Sequence, residues 1–431
     1  MSMEPTSRPL PPSPHSPWVD VRMRGFPSRT EVEQVLALLE ARLSPLDSEE
    51  IQLHEAPGRV LATDLISTVA VPAFDRAAMD GYALRGQETF GADAYNPVEF
   101  RIVGESFPGR PYPGRVGSGQ TVRIMTGAPV PEGADAVLQA EAAEETGSQD
   151  GTALVLRAME PVPPGRHVGK RGEDIAIGTV VLRAGRVLRP QDVGLLASLG
   201  ASPVAVIRRP SVALIITGNE LLPAGSRPQG YQIVDSNSVM LTALVRRDGG
   251  EPQKAALVAD SREAVRSALR EPAADVVLVS GGSSVGLEDH APSVLAESGE
   301  LSVHGVALRP ASPTGLGFLA GKPVFLLPGN PVSCLCAYDL FAGPAIRRLG
   351  GRSMSFPYRS TKLVLAHKIA SAIGRMDYVR VQIREGRVEP LATSGASVLS
   401  STTRADGFVL VPRDSEGHAG GEEVLVYLYD G

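Results

Sequence analysis

The stretch between residues 205 and 350 alternates apolar runs with amphipathic segments, and this alternation constrains the fold more strongly than any other feature of the sequence. The runs VALIIT, AALVAD and DVVLVS are separated by helical patterns such as SNSVMLTALVRRDGG and SREAVRSALR. Strands that are apolar on both sides are typical of parallel sheets covered by helices, and right-handed βαβ units build such sheets. We therefore predict a doubly wound α/β domain over residues 205–350.

The segment LLPGNPVS, residues 326–333, predicts how one buried strand ends. Asn330 is a favoured N-cap residue, Pro331 suits the first helical position, and VSCLCAYDLF continues as an apolar helix. Backbone N–H groups at such a helix start lack partners and the helix dipole is positive there, so an anion is favoured, and Ser333 adds a hydroxyl. A plain strand-to-helix junction without a ligand is the alternative interpretation.

Three predicted strands, VALIIT, DVVLVS and VFLL, end in loops of related composition. Glycines allow the backbone to approach a ligand closely, and hydroxyls and free N–H groups suit a phosphate or another oxyanion. Because ligands of open α/β sheets bind beyond the carboxyl ends of the strands, we expect these loops to meet. The sequence therefore predicts an oxyanion site, with ordinary turn geometry as the alternative for each loop. Its candidate binding residues are Thr217, Gly218, Asn219, Gly281, Gly282, Ser283, Ser284, Gly286, Pro328, Gly329, Asn330, Pro331 and Ser333.

Asp235 and Asp289 stand near these loops in the sequence and are candidate ligands of a divalent cation. Mg²⁺ usually takes one or two carboxylates together with substrate oxygens. An N-cap or a solvated surface position is the alternative for each. The loops contain neither G-x-x-x-x-G-K-[ST] nor G-x-G-x-x-G followed by an acidic residue, so a P-loop NTPase and an NAD-type Rossmann enzyme lose support.

Outside this domain the sequence pattern is mostly that of short strands. Residues 62–160 contain runs such as VEFRIVG and QTVRIMTG between Gly and Pro clusters, which predicts a β-rich module. Residues 351–431 predict a small β-barrel or sandwich with a hairpin turn at Glu385 and Gly386. The segment SRTEVEQVLALLEARL predicts an amphipathic helix with Ser28 and Glu31 as a capping box, and the Pro-rich residues 1–20 are predicted to be a disordered tail.

Composition narrows the class of protein further. The net charge of −6 and the pI near 5.8 do not favour a nucleic-acid-binding surface. No apolar run approaches the ~18 to 20 residues of a membrane span and no signal peptide is recognisable, so we expect a cytoplasmic protein without a membrane partner. Cys334 and Cys336 lie two apart in a predicted helix and point to different faces, which favours two buried thiols over a disulfide or a metal clamp.

Eight stretches together resemble the MoeA family of molybdopterin molybdenumtransferases, which includes the E domain of gephyrin. They keep the family's order and cover nearly all of the chain after the tail. The stretches are AAMDGYALR (77–85), VRIMTGAPVPEGADAV (122–137), GKRGEDI (169–175), IITGNELL (215–222), QIVDSNS (232–238), SGGSSVGLED (280–289), LLPGNPVS and SSTTRADGFVLVP (400–412).

The resemblance implies a subunit of four parts and a homodimer. Residues 21–61 together with 161–204 would form a linking domain, and residues 62–160 a β-rich domain inserted within it. Residues 205–350 would form the molybdopterin-binding α/β domain, and residues 351–431 a C-terminal β domain. The family's active site lies between the α/β domain of one subunit and the inserted domain of the other.

The resemblance also implies a reaction, the insertion of molybdate into adenylylated molybdopterin with Mg²⁺-assisted loss of AMP. Carried over motif by motif, the candidate catalytic residues are Asp80, Thr126, Glu173 and Asp289. Asp235 and Asp289 would lie near the phosphates or the Mg²⁺ ion, and Ser236 would contact the substrate. For Asp80, which precedes a glycine, a simple Asx turn is the alternative.

The chain departs from the family's common pattern where the anion would bind. Arg309, Ala311 and Ser312 stand in R-P-A-S-P where K-P-G-K-P is common, so Ser312 removes a positive charge. Asn219 replaces a commonly acidic residue, which removes one possible metal carboxylate. Arg375 and Arg380 could supply charge from the C-terminal domain, with surface arginines as the alternative. These departures leave a second hypothesis open, a molybdopterin-binding carrier or scaffold without efficient metal insertion.

Overall fold

The structure is a computed structural model that describes residues 25, 26, 28–147, 154–284, 286, 288–392 and 395–429. The tail predicted for residues 1–20 lies outside the described residues. The chain divides into two compact units. The first takes the described residues up to Glu50, the short segment Gly58–Val60 and the chain from Ala205 onwards, and the second takes Ile51–Pro57 and Leu61–Val204. The division into four domains implied by the resemblance stays a prediction.

The helices belong to both units and are mostly short. In chain order the α-helices of the described residues are α1 (Val32–Arg42), α2 (Pro190–Ser198), α3 (Asn237–Arg247), α4 (Arg262–Arg270), α5 (Ala291–Ser298), α6 (Pro331–Ala337), α7 (Gly343–Leu349) and α8 (Ser400–Thr403). A π-helical turn, Tyr338–Ala342, joins α6 to α7. None of these helices combines the length and apolar character needed to cross a bilayer.

A six-stranded sheet forms the core of the second unit. Its strands are β1 (Gly81–Leu84), β2 (Val98–Ser106), β3 (Gln120–Ile124), β4 (Ala136–Gln139), β5 (Ala143–Gly147) and β6 (Leu154–Ala158). They lie in the order β4-β1-β3-β2-β6-β5, and Leu84, Phe100 and Leu156 are buried beneath them. The β-rich character predicted for residues 62–160 is therefore confirmed. Two shorter pairs complete this unit, Leu65–Ile66 with Val180–Leu182 and Arg76–Ala77 with Val168–Gly169.

A seven-stranded sheet lies at the centre of the first unit. Its strands are β7 (Ser211–Thr217), β8 (Glu251–Pro252), β9 (Ala256–Val258), β10 (Val276–Ser280), β11 (Glu300–His304), β13 (Gly315–Leu319) and β14 (Lys322–Leu327), while β12 (Leu308–Arg309) pairs elsewhere. The order is β8-β7-β10-β14-β13-β11, with β9 also beside β7. Leu214 and Leu278 pack on one face of the sheet, and Ile215 and Val279 pack on the other. The predicted α/β sheet covered on both faces is confirmed.

One edge of this sheet is antiparallel, where the sequence predicted parallel strands throughout. The pairs β13 with β14 and β11 with β13 run in opposite directions, whereas β7, β10 and β14 are parallel. Ala320 and Gly321 connect β13 to β14 with φ angles of 49° and 80°. Two central residues at positive φ are the requirement of a tight hairpin turn, so the local backbone explains the reversal.

Five strands form a closed barrel in the C-terminal part of the first unit. They are β15 (Arg359–Leu365), β16 (Met376–Arg384), β17 (Arg387–Ala392), β18 (Gly407–Val411) and β19 (Glu423–Leu428). The order β16-β17-β15-β19-β18 closes because β18 also pairs with β16. Glu385 and Gly386 make the predicted turn, with φ angles of 51° and 74°. Of the two architectures that the sequence left open here, the barrel is the one found.

Helix α1 confirms the predicted amphipathic helix but corrects its start. Val32, Val35 and Leu39 are buried in the same core as one face of the central sheet. The helix begins one residue after Glu31, whose backbone N–H donates to the Gln34 side chain at 3.3 Å. The capping box predicted from Ser28 and Glu31 is therefore wrong, because the helix starts three residues later than that pair requires.

Candidate functional site

The carboxyl ends of β7, β10 and β14 lie side by side because the three strands are parallel neighbours in register. A Cβ atom on Gly281 would lie 2.7 Å from Thr217 Oγ1, and one on Gly329 would lie 3.5 Å from the Gly281 Cα. Gly281 also has a φ of 99°, which favours glycine. The predicted convergence of the three loops is confirmed, and the close approach at Gly281 leaves no room for a side chain.

Asn237, which the sequence analysis did not single out, holds two of these loops together. Its side-chain Nδ2 donates to Ser280 Oγ at 2.9 Å and to the Gly329 carbonyl oxygen at 2.7 Å. Asn237 is the first residue of α3, so one helix start connects the end of β10 to the loop after β14. The only sequence signal was its position inside the QIVDSNS motif.

Several polar atoms at this edge are buried without a partner in the described part of the chain. They are Thr217 Oγ1, Asn237 Oδ1 and Ser283 Oγ. An unsatisfied buried polar group costs about 1–3 kcal/mol, and native proteins seldom leave such groups unexplained. A polar ligand at this edge would supply the missing hydrogen bonds.

The loop after β14 has the predicted local structure. Asn330 is the N-cap of α6 and Pro331 is its first residue. Ser333 and Pro328 are buried, whereas Gly329 and Asn330 are exposed at the edge. Cys334 and Cys336 are buried free thiols, as expected, and burial raises the pKa of Cys334 to about 12.

Asp235 and Asp289 each use one carboxylate oxygen for the local backbone. Asp235 Oδ1 accepts from the Ser238 N–H at 3.0 Å, and Asp289 Oδ2 accepts from the Gly286 N–H at 2.6 Å. The second oxygen of each accepts no hydrogen bond among the described residues. Asp235 thus accepts from the first turn of α3 although Ser236 is the N-cap of that helix, and both aspartates keep a free oxygen.

The free carboxylate oxygens of Asp235 and Asp289 fit Mg²⁺ only if substrate oxygens and waters complete the coordination. Within the described ranges, no group of three or more His, Cys, Asp and Glu side chains could hold a metal ion. Mg²⁺ usually keeps several waters and binds one or two carboxylates plus substrate phosphates, so two carboxylates with free oxygens are the kind of donor it uses.

The loop after β7 is held by a reciprocal pair. The Asn219 N–H donates to Asp260 Oδ2 and the Asp260 N–H donates to Asn219 Oδ1, both at 3.1 Å. The Asn219 side-chain oxygen is therefore occupied by backbone rather than left for a ligand. Gly218 is half-buried, and Ser236, the N-cap of α3, is exposed. Ser284 and Gly286 are half-buried in the loop after β10.

The arginine-containing segment 309–313 enters β13 at the same edge, since Gly315 pairs with Leu326 near the end of β14. Arg309 forms an ion pair with Asp377, which is fully buried, and Arg375 Nε lies 3.5 Å from the other oxygen of that carboxylate. Ser312 Oγ accepts from Arg29 Nε at 2.7 Å. Arg309 and Arg375 are thus positioned by one aspartate that the sequence analysis did not name.

Arg380 corrects the sequence-based expectation. Its relative exposure is 0%, so the surface alternative is wrong, and no part of the side chain is exposed to contact a substrate directly. Arg380 lies in the middle of β16, where Asp377, Tyr378 and Val379 are buried as well. The alternation expected for a half-buried strand fails there because β16 is covered on both sides.

In the second unit, Asp80 and Thr126 are directly bonded. Asp80 Oδ1 accepts from the Thr126 hydroxyl and from the Thr126 N–H, both at 2.7 Å. The Thr126 hydroxyl, and after it the N–H, lowers the pKa of the exposed Asp80 carboxyl. The carboxylate contacts described for Asp80 go to Thr126 and not to its own turn, so the Asx-turn interpretation finds no support.

Glu173 lies beside the same segment of the second unit. Its Oε2 accepts from the Lys170 N–H at 2.9 Å, and its Oε1 is 3.9 Å from Arg76 Nη2. The pair Arg76–Ala77 with Val168–Gly169 joins the two motifs, and the Gly127 N–H donates to the Ala77 carbonyl. The motifs that carry Asp80, Thr126 and Glu173 are thus brought together by backbone hydrogen bonds.

Asp75 is a further residue that the sequence analysis missed. Its carboxylate accepts from the Arg171 N–H at 2.8 Å and from Lys170 Nζ at 2.9 Å, which lowers its pKa. It therefore fixes the GKRGEDI motif against the segment before Asp80.

Comparison with known proteins gives matches over most of the chain. Family models described as the MoeA N-terminal region (domain I and II), a probable molybdopterin binding domain and the MoeA C-terminal region (domain IV) match residues 30–200, 213–348 and 362–429. The chain belongs to the MoeA family. Similar proteins include molybdopterin molybdenumtransferase 2 of Mycobacterium tuberculosis, which is 34% identical over 388 residues, covering 88% of this chain and 94% of that protein.

Further relatives support the family assignment. Molybdopterin molybdenumtransferase of Haemophilus influenzae is 33% identical over 396 residues, which cover 90% of this chain and 96% of that protein. A crystal structure of a molybdopterin biosynthesis MoeA protein from Pyrococcus horikoshii has a TM-score of 0.82 and 34% identity, and the match covers 94% of this chain and 100% of that one. The multidomain MoeA-like fold is therefore shared over nearly the whole chain.

Proposed function

We propose that this protein is a molybdopterin molybdenumtransferase, which inserts molybdate into adenylylated molybdopterin and releases AMP. Family membership supports the reaction class, since relatives of similar length carry that name. The single observation that carries the proposal is the convergence of three turns around buried hydroxyls that have no partner in the described part of the chain. Those hydroxyls suit the oxygens of an anion.

The substrates are anionic, and the site supplies matching groups. Molybdate is a tetrahedral dianion and adenylylated molybdopterin contains a pyrophosphate. The Gly282 N–H and the Ser283 hydroxyl in the turn after β10, and the Ser333 hydroxyl in the first turn of α6, would offer donors to the substrate, whereas the Gly281 N–H already donates to the Leu327 carbonyl oxygen at 3.1 Å. Arg309 and Arg375 would contribute positive charge from the adjoining segment and the barrel. Catalysis would then consist of positioning and electrostatic stabilisation of the departing phosphate.

Asp235 and Asp289 would hold the Mg²⁺ ion through their second oxygens. When bound, the ion would neutralise charge on the phosphate oxygens of the substrate. The residues of this chain would orient those oxygens, because Asp235 and Asp289 are each fixed by a backbone N–H.

We also propose that the protein acts as a homodimer in the cytoplasm. In a homodimer, the sheet edge of one copy would receive Asp80 from the other. Asp80 is exposed and its charge is stabilised by Thr126, so it is available to a second chain.

The carrier hypothesis is retained because specific residues favour it. Ser312 lacks the positive charge common at its position, and the side-chain oxygen of Asn219 is bound to the Asp260 backbone. A carrier would bind the pterin without turnover.

Incubating the purified full chain with adenylylated molybdopterin, molybdate and Mg²⁺ separates the two functions. The transferase releases AMP, and release stops when Mg²⁺ is removed by EDTA or when molybdate is omitted. Pterin binding without AMP release would contradict the transferase and support the carrier. The variant Asp289→Asn is expected to lower the rate at least about tenfold, because one charged contact is worth roughly 1.5–3 kcal/mol.

A further inference from the structure

Ser312 has a cationic neighbour that the sequence order conceals. Arg29 Nε donates to Ser312 Oγ at 2.7 Å, although the two residues are 283 positions apart. Position 312 is where the resemblance expects a lysine. The guanidinium of Arg29 is therefore attached to the side chain that replaces this lysine.

Backbone hydrogen bonds fix the chain at Arg29. The next residue, Thr30, donates its N–H to the Gly305 carbonyl at 3.0 Å and accepts from the Ala307 N–H at 2.8 Å. Val306 in turn donates its N–H to the Ser312 carbonyl at 2.8 Å. Arg29 and Ser312 thus flank the same short strand-like segment, so their contact does not depend on side chains alone.

The Arg29 guanidinium keeps most of its donors available. An arginine has five N–H donors, and the Nε group uses one of them on Ser312. The terminal nitrogens make no hydrogen bond to the described residues, and the side chain is exposed. The nearest acidic residue in sequence, Glu31, is already paired with Arg413. A planar guanidinium with free donors is well suited to bind an oxyanion.

The pair lies at the edge already described. The Ser283 carbonyl oxygen is 3.2 Å from His304 Nε2, and His304 immediately precedes the segment that holds Arg29 and Ser312. Gly315, three residues after Ser312, pairs with Leu326 at the end of β14. The segment is thereby connected to both the loop after β10 and the loop after β14.

We propose that Arg29 is a binding residue of the oxyanion site and supplies the positive charge that Ser312 lacks, for a tetrahedral dianion such as molybdate. The inference rests on the proposed function for the identity of the site. It adds a residue from outside every motif that carries the resemblance.

Direct binding of molybdate to the full chain tests this role without relying on turnover. In equilibrium dialysis, Arg29→Gln is expected to weaken molybdate binding at least about tenfold, the loss of one charge-assisted contact. Adding Ser312→Lys to Arg29→Gln is expected to regain most of that affinity, because the lysine restores the charge at the same place. The matched control is Arg387→Gln, an exposed arginine beside the hairpin turn at the far end of β16, which should leave affinity unchanged.

The binding measurements can contradict the proposed role of Arg29 in more than one way. Equal affinity of wild type and Arg29→Gln, or no molybdate binding by the wild type, would overturn the inference. Failure of Ser312→Lys to regain affinity would also overturn it, because a purely structural role of Arg29 is not replaced by a lysine at position 312. The AMP assay is scored separately. If AMP is released but Arg29→Gln binds molybdate normally, the transferase stands and this inference fails. If no AMP is released but Arg29→Gln binds molybdate more weakly than wild type, the role of Arg29 in binding stands and the transferase fails.

Discussion

Thr126 stabilises the ionised form of Asp80. Both of its donors point to one carboxylate oxygen, and their hydrogen bonds favour the ionised form. The pKa of Asp80 is lowered from 3.8, so the carboxylate keeps its negative charge as the pH falls to that value and below. An exposed carboxylate whose ionised form is stabilised in this way is suited to an electrostatic role.

The substitution Thr126→Val removes the hydroxyl and keeps the shape of the side chain. We expect the pKa of Asp80 to rise towards its ordinary value, because the largest stabilising contact is lost and the backbone N–H remains. The acid limb of the AMP-release rate should move to higher pH in the same variant. Carboxyl NMR titration measures the shift, with Asp80→Asn to assign the signal and Thr146→Val as the control. An unchanged titration of Asp80 would contradict this account.

Individual site residues could be predicted from the sequence only where they lie in a recognisable motif. Asp80 and Thr126 came from two separate motifs, and the structure joins them in one hydrogen-bonded pair. Asn237, Asp75 and Arg29 were missed because local sequence patterns carry no information on distant contacts. The contact of Asn237 with Ser280 spans 43 positions, that of Asp75 with Lys170 spans 95, and that of Arg29 with Ser312 spans 283. Arg380 was misjudged since a charged side chain is seldom fully buried.

Helix α2 shows how the second unit is stabilised at a helix start. Asp192, in its first turn, accepts from the side chains of Arg186 and Arg189 and from the Arg189 N–H at 2.9–3.3 Å. The carboxylate is buried, with an exposure of 4%. Its pKa is lowered chiefly by Arg186 and then by Arg189. A buried carboxylate with several charged donors contributes to stability only while it is ionised.

Replacing Asp192 with Asn should lower the free energy of unfolding of the second unit by about 1–3 kcal/mol at pH 7, because charge-assisted hydrogen bonds are lost. The folded pKa is below the unfolded value of 3.8, so this contribution is present above pH 3.8 and is lost as the pH falls through the folded pKa. Denaturant unfolding should therefore show that the difference in free energy of unfolding between wild type and variant becomes smaller as the pH is lowered from 7 to 3. Glu160→Gln, at an exposed residue without a described partner, is the control, and a constant difference would contradict the account.

Among the secondary-structure elements, those with a clear period were predicted correctly. The apolar strands β7, β10 and β14 and the helices between them followed from alternation, and their parallel order then brought the three loops together. The antiparallel edge was not predicted, because a two-residue turn at Ala320 and Gly321 lacks the Asn-Gly or Asp-Gly signal of such hairpins. The start of α1 was placed three residues too early, because more than one polar residue before the helix, Ser28 as well as Glu31, could serve as its N-cap.

Over the whole first unit, a buried polar network connects the α/β part with the barrel. Asp339, in the π-helical turn, accepts from Arg247 at 3.0 Å, from Tyr358 at 3.0 Å and from Tyr378 of β16 at 3.2 Å. Burial raises the pKa of Asp339, and Arg247 opposes that effect. Nothing in the sequence pattern indicated this network, because its members come from separate parts of the chain: the end of α3, the π-helical turn, the bend before β15 and strand β16. Such a network holds the barrel in a fixed position next to the α/β sheet.

The proposed function depends on where the anion binds. Crystals of the full chain soaked in molybdate, with anomalous data collected at the molybdenum absorption edge, measure this directly. We predict a peak at the edge formed by β7, β10 and β14, within hydrogen-bond distance of the Gly329 to Ser333 loop and of the Arg29 and Ser312 pair. An ordered molybdate bound only elsewhere, with this edge filled by water alone at saturating concentration, would contradict the account.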